Sequence, residues 1–178
     1  MNAAQLSAIA FHVPENQLGN VELAAIFSGW TPEKITLKLG IENRPIASPG
    51  ETAVDLAVAA GNRLFASGVC RREEIDFVVL CTQSPDYFLP TSACLVQNRL
   101  GLPTRCGAFD INLGCSGFVY SLGVCKGLVE SGMAKKVLLL TSETYSKYIN
   151  ELDRTSRPLF GDGATASLIT LDENASSR

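Results

Sequence analysis

Three segments of the chain are almost continuously apolar: Ile75 to Thr82, Lys136 to Thr141 and Ala166 to Leu171. Ile-Asp-Phe-Val-Val-Leu-Cys-Thr and Lys-Val-Leu-Leu-Leu-Thr have the pattern of strands buried on both faces of a parallel sheet. Ala166 to Leu171 reads as a last strand. Gln5 to Val13 reads as a first one, and a short strand ends just before Cys115. Between these runs the spacing becomes helical. Asn20 is placed to cap a short helix carrying Leu23, Ile26 and Phe27 on one face, ended by Gly29. Thr31-Pro32 restarts a helix that Gly40 stops. Thr52 and Asp55 have capping-box spacing for a helix running to about Gly68. Pro90-Thr91-Ser92 opens another, through Asn98. The helix from Ser116 to Ser131-Gly132 carries an apolar stripe of Phe118, Leu122, Cys125 and Val129. Gly123 and Gly127 share a different face. Interior glycines cost a helix up to about 1 kcal/mol each relative to alanine, so that face is expected to meet another backbone closely. The connectors are a turn at Pro14 to Gly19, a link from Ile41 to Gly50 and a charged turn at Arg71 to Glu74. Loops follow at Gln83 to Leu89 and Asn150 to Pro158, then a tight turn at Gly161-Asp-Gly163. Helices alternating with buried strands predict an α/β fold: a mostly parallel or mixed sheet covered by helices.

Composition narrows the picture. The chain has 178 residues, 46% hydrophobic and 19% charged, enough for one domain with a sizeable core. That domain is expected over residues 1–171, with 172–178 a polar tail that frays. Net charge is −3 without a long basic run, which argues against a nucleic-acid surface. No apolar run approaches the roughly 18 residues of a membrane span, and the start lacks a signal-peptide layout. The default expectation is a cytoplasmic protein.

The six cysteines stand at 70, 81, 94, 106, 115 and 125, never closer than nine positions. That spacing argues against a zinc site, and with no secretory signal a disulfide framework is not expected. They read as reduced thiols, mostly small core residues. Cys115 differs. It follows Asn112-Leu113-Gly114 and precedes Ser116-Gly117-Phe118, so it sits where a strand turns into a helix. The helix dipole and first free N–H groups there favour a thiolate. Cys115 is therefore the candidate nucleophile and acyl carrier; a buried structural cysteine is the plainer alternative. The one histidine, His12, lies at the end of the first strand and reads as a strand-end residue. Cys115 thus has no obvious base within the chain.

With these residues placed, the chain resembles the N-terminal half of a β-ketoacyl-acyl carrier protein synthase III, one of the thiolase-fold condensing enzymes. The resemblance runs from Val13-Pro-Glu-Asn16 to the last strand. It rests on Gly40-Ile-Glu-Asn-Arg44, on Ala108-Phe-Asp-Ile-Asn112 with Cys115-Ser-Gly-Phe118, and on Phe160-Gly-Asp-Gly-Ala164, in matching order and spacing. It implies a thiolase-like half with a central helix after Cys115, buried between two pseudo-symmetric halves. It puts the catalytic cysteine on Cys115. Lys38 and Arg154 become the basic residues of the CoA nucleotide entrance, with plain surface charge as the alternative. Lys38 stands where the family has arginine, a point charge in place of a fork. Thr82, Tyr145 and Phe160 would shape the acyl pocket, and Leu89 would reach it across a dimer. Ordinary core packing is the alternative for Tyr145 and Phe160.

The implied reaction is ping-pong. Cys115 takes an acyl group from acyl-CoA, then malonyl-acyl carrier protein is decarboxylated and condensed onto it. The implied partners are acyl-CoA, acyl carrier protein and a second copy in a homodimer. No cofactor is implied. The histidine and asparagine that promote decarboxylation belong to the family's second half, which these 178 residues do not include. The chain is therefore expected to be a truncated piece unable to complete condensation alone. Two other readings stay open: a related thiolase-fold acyltransferase of secondary metabolism, and a non-catalytic partner subunit.

Overall fold

The computed structural model describes residues 3–172. Seven strands are β1 (Ala4–His12), β2 (Gln17–Gly19), β3 (Asn43–Pro45), β4 (Phe77–Cys81), β5 (Gly107–Ile111), β6 (Lys136–Glu143) and β7 (Gly163–Leu171). Five helices are α1 (Asn20–Ile26), α2 (Pro32–Leu39), α3 (Ala53–Ala66), α4 (Ser92–Arg99) and α5 (Gly117–Glu130).

Five strands form one sheet in the order β1-β7-β6-β4-β5. β4 runs parallel to β5 and to β6, whereas β7 is antiparallel to β6 and β1. The sheet is thus mixed, with its parallel part around β4. Val78 to Leu80 and Val137 to Leu140 are fully buried, as expected for strands covered on both faces. On one face α3 and α4 pack over Val78, Leu80, Leu138, Leu140 and Leu168. On the other, Cys125 and Val129 of α5 close over Val79, Val137, Leu139 and Ile169. A third cluster joins α1 to α2 through Leu23, Phe27 and Ile35.

Several helix ends follow local chemistry. Thr31 caps α2 by accepting from the Lys34 N–H, and Gly40 ends it with φ +67°, a left-handed conformation that costs glycine least. Thr52 and Asp55 cap α3 reciprocally. At α1 the expectation needs correction. The cap position is Gly19, and Glu22 reaches back to its N–H at 3.0 Å. Asn20 is instead buried, donating to Thr36 Oγ1 and the Ile41 carbonyl while accepting from Arg44 Nη1. The turn and link at 14–19 and 41–50 also contain more than connectors. β2 and β3 pair there antiparallel.

Gly123 and Gly127 lie on the outer face of α5, with nothing within 4 Å of where a Cβ would sit. The close backbone neighbour expected there is not supplied by the described residues. At the far end of the chain, Asp172 donates its N–H to the Ala3 carbonyl. The rest of the expected frayed tail, residues 173–178, lies outside the described residues. Among those described, no helix is long and apolar enough to cross a membrane.

Candidate active site

A cleft of about 570 Å³ opens on the α5 side of the sheet, where β1, β4 and β6 end and β7 begins. That volume lies within the range of about 300–1,000 Å³ usual for small-ligand sites. Its walls are mostly apolar, with Phe11, Leu113, Phe118, Tyr145 and Phe160 prominent. Cys115 stands in this lining.

Three local features hold the thiol there. First, the Gly117 N–H donates to the Gly114 carbonyl at 2.7 Å, closing the turn between β5 and α5. Second, Gly117 is buried, and a Cβ on it would fall 2.4 Å from Cys81 Sγ. Only glycine lets α5 start that close to β4. Third, a Cβ on Gly114 would fall 2.5 Å from Gln83 Oε1, so the Gln83 side chain lies against the turn. The Cys115 N–H makes no hydrogen bond among the described residues.

Cys115 is the one exposed cysteine; four others are buried and Cys94 is intermediate. Burial pushes the thiols of Cys70 and Cys81 up, that of Cys106 to about 11 and that of Cys125 to about 12. Those four are held as thiols and are inert at neutral pH. Among the described residues, no cluster of three or more histidine, cysteine, aspartate or glutamate side chains is arranged to hold a metal.

The Phe160-Gly-Asp-Gly segment is pinned by its aspartate. Buried Asp162 accepts from the Ala47 N–H at 2.8 Å, the Ser146 N–H at 2.9 Å and Ser146 Oγ at 2.5 Å. Gly161 runs so close to the link before α3 that a Cβ would meet the Pro45 carbonyl at 2.9 Å. This brings Phe160 edge-on to Tyr145, ring centres 5.1 Å apart, and both side chains into the cleft with Cys115.

The remaining residues singled out from the sequence lie elsewhere, some beside the cleft and some far from it. Thr82 is buried at the end of β4, where its hydroxyl accepts from the Ser84 N–H at 3.0 Å; it stands behind the cleft wall, not in it. Leu89 is 86% exposed on the loop before α4 and lines no part of this cleft. Lys38 is exposed in the last turn of α2. Arg154 lies over the Phe27 ring, 5.9 Å from its centre, against the α1–α2 unit that carries Lys38.

His12 also borders the cleft, but the strand register limits its part. His12 pairs with Ala164, and Ala164 with Ser142. That row points toward α3: Ser142 Oγ donates to the Ala53 carbonyl, and Ala164 belongs to the α3–α4 core. The neighbouring row, with Thr165 and Thr141 hydrogen-bonded at 2.7 Å, faces α5. The imidazole therefore starts from the side of the sheet away from Cys115.

One cleft residue that sequence reasoning missed is Glu143, the only carboxylate in the lining. It accepts from the Gln83 N–H and from Ser84 Oγ, each at 2.7 Å. Burial raises its pKa, against the pull of those hydrogen bonds. A signal was present: Glu143 is the first charged residue after the buried run of β6.

A mixed five-stranded sheet, with a lone exposed thiol at the strand-to-helix turn above an apolar cleft, defines a thiolase-type α/β fold. The family profile described as 3-oxoacyl-[acyl-carrier-protein (ACP)] synthase III matches residues 109–178. A β-ketoacyl-[acyl-carrier-protein] synthase III of Xylella fastidiosa (strain Temecula1) is 42% identical over 171 residues, covering 96% of this chain and 52% of the relative. The crystal structure of a 3-oxoacyl-(acyl-carrier-protein) synthase III superposes with TM-score 0.94 at 54% identity, over 96% of this chain and 51% of that one. A priming β-ketosynthase from the R1128 polyketide biosynthetic pathway superposes with TM-score 0.90 at 30% identity, over 96% and 51%. Along nearly its whole length, the chain is thus similar in sequence and fold to about half of a β-ketoacyl-[acyl-carrier-protein] synthase III. It spans about half the length of the curated relatives it matches.

Proposed function

We propose that the chain carries the acyl-accepting centre of a β-ketoacyl-acyl carrier protein synthase III, in its N-terminal half. The carrying observation is the single exposed cysteine at the mouth of an apolar cleft, on a glycine-flanked turn into α5. The Cys115 thiolate attacks the carbonyl of an acyl-CoA thioester. The oxyanion is held by backbone N–H groups, that of Cys115 among them. The tetrahedral adduct collapses, the CoA thiolate leaves and takes up a proton, and the acyl group stays on sulfur. Malonyl-acyl carrier protein then loses carbon dioxide. Its carbanion attacks the acyl-cysteine, releasing the thiolate and a β-ketoacyl product.

In this reading Tyr145 and Phe160 bound the acyl chain, and Thr82 shapes the pocket from behind the end of β4. Leu89 serves the cleft of a second copy in a homodimer, which its exposure on a surface loop suits. Lys38 and Arg154 meet the charged nucleotide end of CoA. The setting is the cytoplasm. The groups that promote decarboxylation come from a second half, so these 178 residues alone perform acylation only.

The test is to incubate the purified protein with an acyl-CoA and then with malonyl-acyl carrier protein. The expected result is acylated Cys115 without free β-ketoacyl product. Condensation by the 178-residue protein alone would contradict the assignment of roles. The R1128 relative supports a second reading, priming of a polyketide instead of a fatty acid. Acyl-CoA preference together with the carrier protein accepted separates the two.

A further inference from the structure

The Glu143 carboxylate has no part in the route above, yet it stands in the cleft beside the nucleophile's turn. Both of its oxygens are engaged by one short segment: Oε1 by the Gln83 N–H and Oε2 by Ser84 Oγ. Ser84 Oγ in turn accepts from the Thr144 N–H at 2.9 Å, tying the segment to β6 a second time. Thr82, Ser84 and the backbone of Gln83 are thereby fixed. The exposed side chain of Gln83 then lies against Gly114, its Oε1 2.5 Å from where a Cβ would sit. The chain of contacts runs from Glu143, through Gln83, to the residue immediately before Cys115. The carboxylate sits in a wall otherwise built of apolar and uncharged groups, with His12 on its rim. An ionisable group is seldom kept in such a place without a specific task.

We infer that Glu143 is a positioning residue: by holding the Gln83–Ser84 segment it seats the Gln83 amide on Gly114 and so sets the orientation of the Cys115 thiol toward an acyl chain in the cleft. It exchanges no proton with substrate. This inference rests on the proposed acylation of Cys115 for its biological meaning but not for its test.

Glutamine at 143 can reproduce both contacts, accepting from the Gln83 N–H and donating to Ser84 Oγ. Alanine can make neither. Two probes read the effect on the 178-residue protein. Iodoacetamide is small and needs only an accessible thiol. An acyl-CoA, or N-octylmaleimide, must enter the cleft in one orientation. For Glu143→Ala the expected result is a loss of about 10- to 100-fold in the rate of acylation and of octylmaleimide labelling, the scale of a misplacement of about an ångström. Iodoacetamide labelling of Cys115 should change little, and Glu143→Gln should restore the oriented reactions.

Acylation by Glu143→Ala at the parent rate would overturn the inference. So would a well-folded Glu143→Gln that stays as slow as the alanine variant, because the charge and not the contacts would then matter. Should Glu143→Ala lose its cooperative melt, Gln83→Ala carries the test. It removes the amide from Gly114 and leaves the Glu143 hydrogen bonds, and the same selective loss is expected; no loss overturns the inference. Should the parent protein take no acyl group, the proposed function fails by itself, and the octylmaleimide-to-iodoacetamide ratio still decides on Glu143.

Discussion

Cys115 and Glu143 occupy one cleft, and the buried setting of Glu143 can be read by titration. Cys115 is exposed on a turn, whereas burial raises the pKa of Glu143. An acid whose folded-state pKa lies above its unfolded value favours the folded state least when ionised. Stability contributed through Glu143 is therefore present in acid, falls as pH rises past the ordinary carboxylate value, and levels off above the raised one. Glu143→Gln removes this slope. Melting curves from acid to neutral pH should show the variant gaining on the parent as pH rises; parallel pH profiles would contradict it. At this scale the candidate nucleophile was legible in the sequence. A cysteine between Asn-Leu-Gly and Ser-Gly-Phe announces its turn through its own neighbours. Glu143 was not legible, because the Gln83 and Ser84 groups that define it stand 60 and 59 positions away in the chain. The same holds for Asp162, whose acceptor role needs Ala47, 115 positions off. Asn20 shows the converse: its type suits a helix cap, but Arg44 takes its side-chain oxygen and Gly19 caps in its place.

Among the elements, α5 carries the site, and its first residue is the most constrained. An alanine at Gly117 would place its methyl 2.4 Å from Cys81 Sγ. Overpacking of this kind costs about 1–3 kcal/mol. Gly117→Ala is expected to lower the denaturant midpoint and to slow labelling of Cys115. Adding Cys81→Ala should recover much of the loss, since the two positions touch and their effects cannot add. Full additivity would contradict this account of why glycine stands there. Helices were legible wherever start and stop signals were local, as at Thr31-Pro32 with Gly40, and at Thr52 with Asp55. The β4 and β6 strands were legible from unbroken apolar runs. The β2–β3 pair was not: three residues on each side are too few to show alternation, and their pairing depends on the folding of α1 and α2 between them. The antiparallel seat of β7 was also beyond local pattern, because a buried strand looks alike in either direction.

For the whole molecule, the two faces of the sheet are finished unequally. α3 and α4 close one side. On the other, α5 leaves Val119, Tyr120 and Val124 exposed, and the edge strand β1 adds Ile9 and Phe11. Apolar surface of that extent promotes association. Light scattering is expected to find species heavier than the 19.0 kDa chain as concentration rises; a strict monomer at high concentration would contradict it. Gly123 and Gly127 raise the expectation that this face meets another backbone, and the described residues supply none.

On this reading Cys115 accepts an acyl group, and the decisive experiment is to incubate the protein with an acyl-CoA and map the added mass by peptide mass spectrometry. One acyl group per chain is expected, on Cys115 alone, absent from Cys115→Ala and blocked by prior iodoacetamide. An unmodified Cys115, or acyl groups scattered over the other five cysteines, would contradict it.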